Sequence, residues 1–103
     1  MGILIYDSVE PPIEIEDRAL SHLKVVVLSK LRRGESFAVS WKHPPGKAGG
    51  RSTIWLNPAI PLRFIFDEDE PPELNQRWLT RMSESAHALG GIMLTPEEIE
   101  GES

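Results

Sequence analysis

Apolar residues in this chain recur with two different periods, and the switching between those periods is what most narrows the folds open to it. Ile3-Leu4-Ile5-Tyr6 and Ile13-Glu14-Ile15 are short β-prone runs separated by a turn region, Asp7 to Pro12. From Arg18 the spacing becomes helical. Leu20, Leu23, Val27 and Leu31 follow steps of three and four, which places them on one stripe. Val25, Val26 and Leu28 broaden that stripe and predict a helix buried on more than one side, with the β-branched residues making 25–28 its weakest stretch. Asp17 stands at the expected N-cap, where a carboxylate accepts free N–H groups and meets the positive end of the helix dipole. Lys30, Arg32 and Arg33 suit the negative end, and Gly34 is placed to close the helix.

Period two then returns. In Ser36–His43, Phe37, Val39 and Trp41 alternate with Ala38, Ser40 and Lys42. Ser52–Leu56 sets Ile54 and Leu56 against Thr53 and Trp55, and Leu62–Phe66 sets Leu62, Phe64 and Phe66 against Arg63 and Ile65. The link from His43 to Arg51 is too rich in Pro and Gly for regular structure and predicts an exposed hairpin loop; Asn57 to Pro61 predicts a stiffer turn. The acidic run Asp67–Glu70 followed by Pro71-Pro72 predicts the start of a second helix. Leu74, Trp78, Met82, Ala86 and Leu89 form its stripe, Gly90-Gly91 its end, and Ile92-Met93-Leu94 a last strand. The order β-β-α-β-β-β-α-β defines the α+β class: a single two-layer domain over 1–95, with a mixed or antiparallel sheet and both helices on one face. The acidic, polar stretch 96–103 is expected to be a frayed tail.

Length agrees with one domain, since 103 residues bury a conventional core without staples. There is no cysteine, which excludes disulfides, thiolate metal sites and cysteine nucleophiles. The N-terminus lacks the basic and long apolar regions of a secretory signal. The longest apolar run, Val25 to Leu28, is far short of the roughly 20 residues that cross a bilayer, so a cytoplasmic protein without membrane contact is expected. The net charge of −5 conceals a basic block: residues 24–51 carry seven Lys and Arg against Glu35 alone, between two acidic flanks.

Few residues stand in patterns that support chemistry. His22, His43 and His87 have no metal-ligand spacing; His22 reads as a polar helix position, His43 as a loop edge and His87 as helix surface. Gly46-Lys47 fails as a phosphate loop because position 41 is Trp and position 48 is Ala. A nucleophile elbow is absent, and the carboxylates crowd into runs typical of solvated faces. No catalytic, cofactor or metal site is therefore expected. Two surfaces remain. Trp55 lies opposite Ile54 and Leu56; exposed on an open sheet face beside Ile65 and Arg63 of a neighbouring strand, it would serve a protein partner or a second copy of the chain. Lys30, Arg32, Arg33, Lys42, Lys47 and Arg51 would form a cationic surface for nucleic acid if the helix end and the hairpin share a side, although the excess acid elsewhere opposes it. Trp41 and Trp78 are expected in the core.

Met1-Gly2-x-Leu4-Ile5-Tyr6, Glu16-Asp17-Arg18-Ala19-Leu20-x-His22-Leu23-Lys24, Lys30-Leu31-Arg32-Arg33-Gly34-Glu35-Ser36-Phe37, Ile54-Trp55-Leu56-x-Pro58-x-Ile60-Pro61-Leu62 and Pro72-x-Leu74-Asn75-x-x-Trp78 together resemble a family of small actinobacterial proteins of unknown function. The resemblance spans residues 1 to about 95 and brings with it a label, ATP-dependent DNA ligase, that the residues do not support. A ligase nucleophile is the Lys of Lys-x-Asp-Gly, and none of Lys24, Lys30, Lys42 or Lys47 has Asp two residues later. The chain is also too short for a nucleotidyltransferase domain joined to a nucleic-acid-binding one. The resemblance implies at most an accessory connection to DNA ends.

Overall fold

The computed structural model describes residues 1–43 and 49–97, and for 87–89 the backbone alone. Its elements follow the expected order: β1 (Gly2–Tyr6), β2 (Ile13–Ile15), α1 (Asp17–Arg32), β3 (Phe37–Lys42), β4 (Arg51–Leu56), β5 (Leu62–Ile65), α2 (Gln76–Leu89) and β6 (Gly91–Met93). The class is α+β, and a radius of gyration of 13.4 Å is that of one compact domain of this length.

The strands divide between two three-stranded sheets where the sequence suggests one. Sheet A has the order β2-β1-β5 and is antiparallel; sheet B has the order β4-β3-β6, antiparallel between β3 and β4 and parallel between β3 and β6. The divide falls at the turn after β4. There Asn57 Oδ1 accepts from Ala59 N at 2.9 Å, and the carbonyl of Asn57 accepts from Ile60 N at 2.9 Å. Pro58 and Pro61 have no N–H to donate to a ladder, so the chain leaves sheet B and β5 pairs instead with β1, Tyr6 opposite Leu62.

Alternation sorts every strand. Leu4, Ile15, Phe37, Val39, Leu56 and Ile92 point inward and are buried, and Ile13, Tyr6, Trp41, Ile54, Leu62 and Phe64 pack around them. From α1 the core receives Ala19, Leu20, Leu23, Val26 and Val27; from α2 it receives Trp78, Met82 and Ala86. Each large side chain fully buried here contributes about 1.5–3 kcal/mol of transfer free energy. The seating of β1 on α1 depends on Gly2, where an added Cβ would stand 2.7 Å from Leu20 Cδ2. Gly91 plays the same part in sheet B: a Cβ there would meet the Ala38 carbonyl oxygen at 2.7 Å.

Several local expectations are corrected. Val25 and Leu28 are exposed, so the described residues leave the second side of α1 uncovered. Glu16, not Asp17, is the N-cap of α1; the Asp17 carboxylate reaches out and its Oδ2 accepts from the backbone N–H groups of Asp67 and Glu68 at 2.9 and 3.0 Å. At the other end Gly34 takes a φ of +77°, the left-handed geometry expected of a helix-closing glycine. α2 begins not at the prolines but at Gln76. Asn75 caps it by accepting from Trp78 N at 3.1 Å, because an amide oxygen there satisfies a free N–H that Pro72 cannot. Leu74 thereby stays outside the helix and is exposed. The hairpin residues 44–48, including Lys47, and the tail 98–103 lie outside the described residues, as does the side chain of His87.

Candidate interaction surfaces

Sheet B leaves one face open, and the register defines what stands on it. Trp55 lies opposite Ala38, which in turn neighbours Gly91 of β6; Thr53, Ser40 and Met93 form the next row; Arg51 and Lys42 face each other at the far end. Trp55 is 54% exposed and Met93 39%, both unusual for large apolar side chains. Ala38 and Gly91, beside the indole, carry almost no side chain, so Trp55 stands as a ridge next to low ground. Ser40 Oγ and Thr53 Oγ1 are hydrogen-bonded at 2.8 Å in the middle of the face. Lys42 and Arg51 are exposed, and no ion pair among the described residues engages either. The edge of the face is held by Tyr6, whose hydroxyl donates to the Trp55 carbonyl at 2.6 Å across from sheet A. That bond fixes the β4 backbone beneath the indole, so the ridge is anchored from below.

The other residues singled out from the sequence are placed elsewhere. Arg63 and Ile65 belong to β5 and therefore to sheet A. Pairing sets Ile65 opposite Ile3 and Arg63 opposite Ile5, on the outer face of that sheet and not beside Trp55. The basic residues separate as well. Lys30 is only 4% exposed; its Nζ lies 3.4 Å from Glu35 Oε1 and 5.9 Å from the centre of the Phe37 ring. Arg33 Nε pairs with Glu35 Oε2 at 2.8 Å. Desolvation opposes ionisation of Glu35, but the charges and hydrogen bonds of Arg33 and Lys30 outweigh it and lower its pKa. Arg32 is exposed beside them. This trio feeds the start of β3, whereas Lys42 and Arg51 stand at its end, about 16 Å along the strand. Two of the cationic residues, Lys42 and Arg51, thus share the Trp55 face but stand about 13 Å along it from the indole, and the other three lead into the start of β3, where Trp55 lies opposite Ala38.

One constellation was invisible in the sequence. His22 is fully buried rather than a polar surface position. Its Nε2 accepts from Asn75 N at 2.8 Å, so its proton is on Nδ1, which donates to the Arg18 carbonyl at 2.7 Å. The ring packs at 4.6 Å against that of Trp78. Arg18 grips Glu97 with two bonds of 2.7 Å, and Asn75 Nδ2 adds a third at 3.0 Å. Hydrogen bonds from Arg18 and then Asn75 lower the Glu97 pKa to about 2. The cluster of His, Arg, Asn and Glu has the residue types of an active site, but its polar atoms are spent on joining the first turn of α1, the cap of α2 and the segment after β6. His22 carries no periodic signal of this role, since two of its partners, Asn75 and Trp78, are 53 and 56 residues away. Among the described residues no three acidic or histidine side chains are grouped to hold a metal ion. No helix among them is long and apolar enough to cross a membrane.

A groove of about 680 Å³ lies between α1 and the 66–74 segment, with Val25, Phe66, Pro71, Pro72 and Leu74 in its walls.

Fold and surfaces together define a small α+β domain of two three-stranded sheets and two helices among the described residues, with an open sheet face bearing an exposed indole. The chain belongs to a family described as a domain of unknown function, DUF7882, whose model matches residues 1–97. No curated protein and no solved structure shows significant similarity to it.

Proposed function

We propose that this domain is a non-catalytic interaction module that pairs with a second copy of itself through the open face of sheet B. The observation that carries the reading is the arrangement of Trp55 and Arg51. They share a face of one strand, four residues apart and so about 13 Å along it. A two-fold axis crossing the strands at the Ser40–Thr53 pair lays each Trp55 over the other copy's Arg51. That contact joins a guanidinium to an aromatic face, and it keeps the cations of the two copies at opposite ends. The same operation brings Lys42 of the facing copy beside that Arg51, since Lys42 and Arg51 are paired, and each copy makes the same contacts to the other, which is the self-complementarity an isologous dimer requires. The face is only three strands wide, about 10 Å, and smaller than the roughly 800 Å² per partner of a stable complex. The dimer therefore forms in the micromolar range or weaker.

The absence of a catalytic role rests on the spent polar atoms of the His22 cluster and on the missing Lys-x-Asp-Gly. The test is mass by light scattering across a concentration series, comparing the parent with Trp55→Ala and Arg51→Ala. A mass that rises with concentration in the parent alone supports pairing; a parent that stays monomeric throughout refutes it. Lys42, Arg51 and Trp55 also resemble a minimal platform for a single-stranded nucleic acid, with cations on the same face as a stacking ring and about 13 Å from it. A low-salt gel shift with single-stranded DNA or RNA that is lost in Lys42→Ala and Arg51→Ala would replace self-pairing by that reading.

A further inference from the structure

The groove beside α1 has an apolar floor and an unbalanced charge. Val25 and Leu74 stay exposed within it although both are apolar, and Phe66 presents a ring face. Its volume of about 680 Å³ falls among those of small-molecule sites. The charged residues divide into two groups. Arg18 is held by Glu97, and Asp17 Oδ2 is occupied by two backbone N–H groups. Glu68, Asp69 and Glu70 line the rim; Glu68 acts at a distance on the N-terminal ammonium, and among the described residues no ion pair engages the three carboxylates.

The chain itself shows what the ring attracts. Lys24 projects from α1 so that its Nζ lies 5.5 Å from the centre of the Phe66 ring, an intramolecular ammonium on an aromatic face. A ligand suited to this groove carries more than one cation, to meet the three rim carboxylates and the ring. It also carries apolar chain between them, to cover Val25, Leu74 and the prolines.

We propose that the groove binds a linear aliphatic polyamine. One ammonium takes the place over Phe66 that Lys24 holds, the others pair with Glu68, Asp69 and Glu70, and the methylenes lie against the floor. This site is independent of the Trp55 face.

The experiment is isothermal titration of the full chain with spermidine at low salt, with hexanol as the uncharged control. Spermidine is expected to bind, more weakly as salt is raised, and hexanol is not. Phe66→Leu keeps an apolar wall but loses the ring face, and weakens binding roughly fivefold. The triple variant Glu68→Gln, Asp69→Asn, Glu70→Gln, on an exposed segment where folding is not at stake, weakens it tenfold or more. Lys24→Gln removes the competing ammonium and tightens it. Trp55→Ala binds spermidine as the parent does even when it no longer self-associates, so failure of one site is distinguishable from failure of the other. The proposal is overturned if spermidine does not bind, if the triple variant binds as well as the parent, or if hexanol binds equally. It is also overturned if a lysine-rich peptide binds more tightly than spermidine, which would make the groove a site for a partner polypeptide.

Discussion

Replacing Glu97 by Gln tests whether the segment after β6 is clasped to the rest of the domain. In the native protein Glu97 receives two hydrogen bonds of 2.7 Å from Arg18 and one of 3.0 Å from Asn75. These lower its pKa from 4.5 to about 2. A pKa depressed in the folded state contributes stability above the unfolded value, and that contribution is lost as pH falls from about 4.5 towards 2. The full shift would correspond to about 3 kcal/mol, but the pair is partly exposed to water, and screening leaves about 1–2 kcal/mol. For a domain of this size that is a fall in melting temperature of roughly 5–10 °C at pH 7. Thermal denaturation followed by circular dichroism, parent against Glu97→Gln at pH 7, 4.5, 3 and 2, reads this out. The two proteins should converge as the pH drops, because protonation abolishes in the parent what the substitution abolishes in the variant. Equal stability at pH 7 would refute the clasp, and a difference that persists undiminished at pH 2 would refute its electrostatic origin.

Three further substitutions examine the framework. Met82→Ala empties a fully buried position of α2 and should cost 2–5 kcal/mol in urea denaturation with an unchanged slope. Gly91→Val places atoms where even a Cβ would stand 2.7 Å from the Ala38 carbonyl; β6 should detach, and hydrogen exchange at Ile92 should accelerate while β1 stays protected. Lys30→Met should be within about 1 kcal/mol of the parent in the same denaturation, because it removes a buried charge whose partner Glu35 keeps Arg33 and is partly open to water. A loss of 3 kcal/mol or more would show that the pair itself holds the helix end in place.

The sequence carries local periodicity well and pairing poorly. Steps of three and four through Leu20, Leu23 and Val27 locate α1, and alternation through Phe37, Val39 and Trp41 locates β3, because each signal lies within one element. The partition into two sheets is not legible, since it depends on Tyr6 finding Leu62, 56 residues along the chain. The same holds for the burial of His22, whose role is defined by Asn75, and for Asp17, which serves the loop at Asp67 instead of capping its own helix. Val25 and Leu28 show the opposite failure. Their apolar character predicts burial, and both are exposed. Of the candidate site, Trp55 and its orientation follow from strand alternation alone. Its company, Lys42 and Arg51 and not Ile65 and Arg63, required the register.

The central claim is that the indole of Trp55 is exposed for contact with a second copy. Its most direct test is sedimentation equilibrium of the parent and of Trp55→Ala over a wide concentration range, with far-ultraviolet circular dichroism to show that both are folded. The account predicts a parent whose mean mass climbs from 11.6 kDa towards twice that value, and a folded variant that stays at the monomer mass. A parent that remains at 11.6 kDa at the highest concentration, or a variant that associates as the parent does, would contradict it.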